Sequence, residues 1–266
     1  MIMTKEYLYQ EYIVKGRSQS EIAKDFGCTP KNINYYVRKY KLKGIKSRIK
    51  FSVNEAKISV ENPIFCYLAG LVATDGHIDY PNNRITIRVN NEGSDKVLQN
   101  LLDYFECKLK VAKYKTGYEI RITSKHLINE LAKLNVKGKR KTYDLSFPTC
   151  FHSTSCKQMY LRGILDGDGN IHVTVSKYTK RYIGGQFRLV TYSEDFIIGF
   201  IECVNNTLNL NCKLSYTSIN NGSYPKIEMR TEESKTFYRY IYEGYPKFRF
   251  PDKYTKYLKL MGEEIV

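Results

Sequence analysis

Residues 67–76 read YLAGLVATDG, and residues 160–169 read YLRGILDGDG. Tyr, Leu, Gly, Asp and the closing Gly coincide at an offset of 93 residues (168 − 75). Self-similarity at a fixed spacing marks an internal duplication. Each stretch reads as a helix, with a start at Pro63 for the first and at Ser155 for the second. Small residues recur four apart: Ala69 with Ala73, Gly70 with Thr74, and Gly163 with Gly167. Such surfaces let two helices approach backbone to backbone. Close packing accounts for glycine inside a helix, which costs about 1 kcal/mol relative to alanine. If the two helices pack in parallel, Asp75 and Asp168 meet at their C-terminal ends. Carboxylates are disfavoured there, because unpaired carbonyls point outward. Two of them side by side also repel. A divalent cation removes the conflict, and an all-oxygen donor set suits Mg²⁺ or Mn²⁺. Metal ions held this way activate water and stabilise both oxygens of a phosphodiester displacement.

The segments after the two stretches are also alike. After the first come HIDY, a turn at PNN and RITIRVN, then the helix SDKVLQNLLDYF. Strands KLKVAKY and YEIRIT and the helix KHLINELAKL complete the unit. After the second come NIHVTVS and QFRLVTYS, the helix SEDFIIGFIECVNNTL, the hairpin CKLSYTSI–YPKIEMRT and the helix ESKTFYRYIY. The order is αββαββα, twice. Arg84, Thr86, Arg88 and Asn90 alternate with Ile85, Ile87 and Val89; Lys226, Glu228 and Arg230 alternate with Ile227 and Met229. The period of two gives each sheet one apolar face for helices and one basic, polar face. Arg84, Arg88, Arg121, Arg188, Lys213, Lys226 and Arg230 fall on that second face, which is suited to lie on DNA.

The first fifty residues form a different unit. KEYLYQEYIVK (5–15) reads as a short helix that Gly16 breaks. Ser18 with Glu21 has capping-box spacing ahead of a second helix, which buries Ile22, Ala23 and Phe26. Gly27 makes a tight turn, and Thr29 caps a third helix with Pro30 at its first position. That helix turns Ile33, Tyr36, Val37 and Tyr40 inward, and Lys31, Asn32, Asn34, Tyr35 and Arg38 outward. SQSEIAKDFGCTPKNINYYVRKYKL resembles the helix-turn-helix family, whose exposed face meets bases and phosphates. No acidic residue lies between Phe26 and Asn54, while eight basic ones fall from Lys31 to Lys50. The expected division is therefore 1–45 helix-turn-helix, 46–60 basic linker on the DNA backbone, 61–148 repeat 1 and 149–266 repeat 2.

Composition agrees with this reading. The 266 residues carry 43 Lys and Arg against 27 Asp and Glu, a formal net charge of +16. That excess points to a polyanion, and nucleic acid is favoured over a membrane surface because no basic amphipathic helix stands out. Apolar residues are 42% of the chain, enough to build real cores. No apolar run is long enough for a transmembrane helix, and the N-terminus lacks the order of a signal peptide. Seven cysteines without a CxxC pair fit reduced thiols, and the scattered histidines lack zinc-site spacing. The expected location is the cytoplasm, or the nucleoid or organelle matrix where the target DNA lies.

The two ten-residue stretches resemble the signature motifs of the LAGLIDADG homing endonucleases, in their single-chain, two-repeat form. The resemblance runs from about residue 60 to the end. It implies an α+β fold of two pseudo-symmetric αββαββα repeats forming a DNA-binding saddle, with a small all-α helix-turn-helix domain ahead of them. It implies that Asp75 and Asp168 bind the metal, helped by the carbonyls of Thr74 and Gly167. It also implies a catalytic basic residue after the last helix of each half. Matching RKTY with DKYT gives Lys141 and Lys253, with Lys139, Arg140 and Lys256 as near alternatives. The sixth motif position departs from the pattern in one half, being Ala73 in the first copy and Asp166 in the second. Equivalence of the two halves is therefore open. His77 and His172 lie just past the motifs in non-equivalent positions and are read as DNA contacts. The expected function is site-specific, Mg²⁺-dependent cleavage of double-stranded DNA by a monomer in intron homing. The alternatives are a non-cutting DNA-binding regulator and an RNA splicing maturase on the same scaffold. An intein is not expected, since the chain starts without Cys or Ser and ends in GEEIV, which points to a free-standing or intron-encoded protein.

Overall fold

The structure is a computed structural model that describes residues 3–43, 53–90, 92–137, 145–179, 182–220 and 222–262. The chain divides into two compact units, Met1–Ser52 and Val53–Val266. In the first, Thr4 caps helix α1 (Lys5–Leu8), which continues as a π-helical stretch over Tyr9–Val14. Gly16, at φ +71°, ends it with a backbone conformation that favours glycine. Helix α2 (Gln19–Asp25) begins with the expected capping box. The Glu21 amide donates to Ser18 Oγ at 3.2 Å, and the Ser18 amide donates to Glu21 Oε2 at 2.6 Å. Helix α3 (Pro30–Lys39) is capped by Thr29 and has proline in its first turn. Leu8, Ile13, Ile22, Ala23, Ile33, Val37 and Leu42 make the small core. Glu11 is buried beside it and accepts from Lys15 at 2.6 Å and Arg17 at 2.9 Å.

The second unit is built around helices α4 (Pro63–Thr74) and α7 (Thr154–Gly167), which pack along each other. Strands β1 (Gly76–Asp79) and β2 (Arg84–Val89) follow α4, then helix α5 (Ser94–Tyr104), β3 (Ala112–Tyr114), β4 (Gly117–Thr123) and α6 (Lys125–Lys133). After α7 come β5 (Asn170–Val175), β6 (Tyr182–Val190), α8 (Glu194–Leu208), β7 (Leu214–Ile219), β8 (Gly222–Met229) and α9 (Thr231–Tyr242). The strands form two four-stranded antiparallel sheets, ordered β1-β2-β4-β3 and β5-β6-β8-β7. The same first-second-fourth-third order recurs in both. The expected αββαββα series is present on each side, and the fold is α+β.

Alternation decides which face of each sheet is buried. Ile85, Ile87, Val89, Ile120 and Ile122 pack into the core from the first sheet, and Phe187, Leu189, Ile227 and Met229 from the second. The opposite faces carry the polar residues.

Two features differ from the sequence expectation. Residues 53–60, expected as the end of a linker, pack on the second unit. The Asn54 amide donates to the Phe105 carbonyl at 2.8 Å, the Val60 amide donates to Glu130 at 3.1 Å, and Ile58 is buried. Apolar Ile58 and the capping Asn54 outweigh the linker-like charge pattern. The rest of that linker, 44–52, lies outside the described residues. A further helix, α10 (Pro251–Met261), follows α9 and extends the second half beyond αββαββα, with Pro251 in its first turn.

Candidate active site

The crossing of α4 and α7 sets the geometry. A Cβ built on Gly70 would overlap the Tyr160 carbonyl oxygen and lie 2.9 Å from Gly163 Cα. A Cβ on Gly163 would overlap the Tyr67 carbonyl and lie 2.9 Å from Gly70 Cα. Only glycine allows this approach, and it does so reciprocally. One turn beyond the crossing, Gly167 sits on the side chain of Thr74, and a Cβ there would lie 3.4 Å from Asp75 Oδ2. Both helices therefore end together.

Asp75 is the C-cap of α4, its amide bonded to the Leu71 carbonyl at 2.9 Å. Asp168 is the C-cap of α7, its amide bonded to the Ile164 carbonyl at 3.1 Å. Thr74 and Gly167 are the last helical residues, among the carbonyls that a helix leaves without intrahelical partners. The arrangement gathers two carboxylates and terminal carbonyls, which are hard oxygen donors. Among the described residues no three of His, Cys, Asp and Glu come together as a complete metal cage. What the chain could offer a divalent ion here is the two carboxylates with neighbouring carbonyls. Such donors fit Mg²⁺ or Mn²⁺, which keep waters and take phosphate oxygens as ligands.

Each aspartate lines its own cavity. Asp75 shares one of about 330 Å³ with His77, Arg84, Arg88, Glu119 and Arg121. Asp168 shares one of about 380 Å³ with Thr74, Asn170, Arg188 and Tyr192 among others. Three arginines of the polar sheet face line the first, and one, Arg188, lines the second.

Lys253 lies in the first turn of α10 and donates to the Gly169 carbonyl, one residue past Asp168. Burial lowers its pKa, against the opposing pull of Asp252, Asp166 and Asp75. The structure thus brings Lys253 to the aspartates. Lys141, its expected counterpart, and the nearby Lys139 and Arg140 lie outside the described residues.

Arg84, Arg88, Arg121, Arg188 and Lys226 all lie on the polar faces, and most are tied to acids. Arg84 pairs with Asp79 at 2.6 Å, and Arg88 and Arg121 both pair with Glu119 at 2.5 Å. Arg188 and Lys226 pair with Glu228 at 3.0 and 2.7 Å. Lys213 is exposed just before β7, and Arg230 is exposed at the junction of β8 and α9. His77 and His172 lie on the polar faces, opposite Thr86 and Gln186. In the first unit, Lys31, Asn32, Tyr35 and Arg38 are exposed on α3, and Asn34 is half-buried.

Asp166 turns away from the aspartate pair into the core. It accepts from the Tyr67 hydroxyl at 2.7 Å and the Phe250 amide at 3.1 Å. Burial raises its pKa to about 7, against those two hydrogen bonds and the charge of Arg162. Arg162 is fully buried and donates to the carbonyls of Ile241, Glu243, Gly244, Tyr245 and Phe248. This network anchors the segment that leads into α10. In the other half, Ala69 and Ala73 stand where Arg162 and Asp166 do, and the hydroxyl of Tyr160, the counterpart of Tyr67, is buried without a partner among the described residues. Sequence reading missed this network, because a charged residue in a helix is ordinarily a surface residue. The replacement of two small residues by an Arg–Asp pair four apart was the available signal.

No family model matches the chain, and no curated protein matches it. Among solved structures, the homing endonuclease I-WcaI bound to its DNA recognition sequence is similar over 78% of this chain and 89% of its own, at 16% identity and a TM-score of 0.51. Weaker likenesses include a mesophilic variant of the homing endonuclease I-DmoI (20% identity, 70% of this chain and 94% of that one, TM-score 0.47). Full-length DUF199/WhiA from Thermatoga maritima is another (13% identity, 80% and 67%, TM-score 0.47). The fold of this chain is the homing-endonuclease-like LAGLIDADG fold.

Proposed function

We propose that this chain is a site-specific, divalent-metal-dependent endonuclease of double-stranded DNA. The observation that carries the reading is the meeting of Asp75 and Asp168 at the ends of two glycine-packed helices, each lining a cavity that arginine also lines. Carboxylates brought together at helix C-termini repel each other and the terminal carbonyls, and a divalent cation there would offset both effects. Asp75, Asp168 and the carbonyls of Thr74 and Gly167 would hold Mg²⁺ or Mn²⁺. When bound, the ion supplies an activated water and charge stabilisation at the phosphodiester. Lys253, half-buried and bonded to the Gly169 carbonyl, contributes positive charge beside the scissile phosphate. Both carboxylates belong to one chain, so the enzyme acts as a monomer. The first unit serves as a helix-turn-helix that lengthens the recognised site through Lys31, Asn32, Asn34, Tyr35 and Arg38. The biological role we infer is homing.

The test is to incubate the full chain with DNA of its own insertion locus, restored to the uninterrupted sequence, in Mg²⁺ or in EDTA. A discrete Mg²⁺-dependent double-strand break is expected, and Asp75→Asn and Asp168→Asn should each abolish it. Replacing Lys31, Asn34 and Arg38 by alanine should weaken binding to the same DNA. Specific binding with no break under any divalent metal would overturn the nuclease reading in favour of a non-cutting binder.

A further inference from the structure

The polar face of each sheet carries a carboxylate where a DNA-binding surface would gain from none. Glu119 on β4 faces Arg88 on β2 across the strand register, and Glu228 on β8 faces Arg188 on β6 in the same way. The two pairs join corresponding strands of the two sheets, although Arg188 takes the register position of Thr86 and Glu228 that of Arg121, two residues along from the first pair. Glu119 is only 1% exposed although it lies on the open face, because basic side chains cover it. Arg88 Nε donates to one of its oxygens at 2.5 Å, and Arg121 pairs with the other at 2.5 Å. The Tyr114 ring lies 5.6 Å from the Arg88 guanidinium, and its hydroxyl is 3.4 Å from Glu119. Arg88 is thereby held at Nε and over one face. Its Nη edge has no hydrogen bond among the described residues, and the side chain is 68% exposed. Arg188 is gripped by Glu228 at 3.0 Å, with Lys226 on the same carboxylate, and it lines the Asp168 cavity.

We propose that Glu119 and Glu228 are positioning residues that fix Arg88 and Arg188 for bidentate reading of guanine, one in each half of the DNA site. This rests on the reading of the chain as a DNA-binding protein. If the arginines served only to attract phosphates, a carboxylate between them would weaken them, since phosphate affinity scales with net positive charge. Reading a base edge needs a guanidinium in one orientation, and a long side chain that is already ordered loses less freedom on binding. The guanidinium fork matches the O6 and N7 atoms of guanine in the major groove. The Glu–Arg pairs exchange raw affinity for discrimination.

The experiment is selection of the full chain on a randomised duplex library in EDTA, with wild type, Glu119→Gln, Glu228→Gln and Glu119→Asp. Affinity for a random-sequence duplex is measured in parallel, and melting temperature is recorded for each protein. Wild type should enrich guanine at a position in each half-site. Glu119→Gln should reduce the preference at one position by about 5- to 100-fold, the range for one bidentate contact. Glu228→Gln should do the same at the other. Affinity for random duplex should rise in both, because a negative charge is lost, and Glu119→Asp should keep part of the preference. Unchanged sequence preference in both glutamine variants would overturn the proposal. So would a loss of specific and random affinity together with a lowered melting temperature, which marks a merely structural pair. Failure of wild type to enrich any sequence would instead refute DNA recognition itself.

Discussion

Gly163→Ala adds one methyl group at the point where α4 and α7 touch. The new Cβ would lie 2.9 Å from Gly70 Cα and 2.9 Å from Leu71 N, and it would overlap the Tyr67 carbonyl oxygen. Carbon–carbon contacts are comfortable at about 3.5–4.0 Å, so the helices must separate by roughly 0.7–1 Å. All the opposing atoms are backbone, so no rotamer change can absorb the clash. A gap of about that size forfeits a quarter to a half of each dispersion contact along the seam. Overpacking costs about 1–3 kcal/mol in general, and a backbone-on-backbone clash belongs at the upper end. Against this, alanine is worth about 1 kcal/mol over glycine in a helix interior. The net expectation is destabilisation by about 2 kcal/mol, or a melting point lower by roughly 4–8 °C.

The sign makes the test sharp. A Gly163 that packed loosely would give a variant about 1 kcal/mol more stable, because only the propensity gain would remain. Urea unfolding followed by far-ultraviolet circular dichroism distinguishes the two. Gly70→Ala meets the same crossing, so the double variant should lose less than the two single losses added, the second methyl entering a seam already opened. Cleavage should suffer more than stability, since a displacement of about 1 Å at reacting groups can cost on the order of 10²-fold in rate. A stabilised Gly163→Ala protein would refute the close crossing, and a destabilised one with full cleavage would refute its role in spacing Asp75 and Asp168.

The Asp166 carboxyl gives stability a pH dependence. Its folded pKa of about 7 lies above the ordinary 3.8, so the folded state holds the proton more tightly, and stability falls as pH rises from about 4 to above 7. At about 1.4 kcal/mol per pH unit the loss is on the order of 4 kcal/mol, and Asp166→Asn should flatten that slope when unfolding is followed in EDTA. Tyr67→Phe and Tyr160→Phe should act in opposite senses: the first removes a donor from buried Asp166 and costs about 1–3 kcal/mol, while the second removes a hydroxyl without a partner among the described residues and is neutral or stabilising. Equal losses for the two tyrosines would refute the asymmetry.

Much of this was legible in the chain because the governing constraints are local. Ser18 with Glu21 and Thr29 with Pro30 set helix starts through hydrogen bonds spanning three residues, and the structure places both as read. The period-two alternation in 84–89 and 226–229 assigned sheet faces without knowledge of partners. The glycines were legible because nothing but a close approach explains them inside a helix. The pairing of Arg88 with Glu119 was not legible, since it joins residues 31 apart through a strand register that no local pattern fixes. Arg162 and Asp166 escaped for another reason. Apart from the hydroxyls of Tyr67 and Tyr242 on Asp166, their partners are main-chain carbonyls and one amide near residues 241–250, and backbone groups leave no mark in a sequence.

The two halves agree where the helix crossing constrains them and diverge one turn away. Gly70 and Gly163 occupy each other's contact, so neither can change alone, and Asp75 and Asp168 follow at equal distances along their helices. Positions outside that glycine contact carry no such reciprocity. There the second helix has taken on Arg162 and Asp166, and with them a grip on the chain between α9 and α10. A lone arginine or a lone aspartate at those positions would leave a buried charge without compensation, at a cost of several kcal/mol. Together, with carbonyls, an amide and Tyr67 to satisfy them, they fix Phe250 three residues ahead of Lys253. The first half, with Ala69 and Ala73, has no comparable anchor on its motif helix and leaves Tyr160 without a partner among the described residues. The asymmetry therefore bears on the placement of the basic group rather than on the carboxylates. On the proposed mechanism, this anchor sets where Lys253 stands beside Asp168, and loosening it by Arg162→Met should slow cleavage of the strand that Lys253 serves.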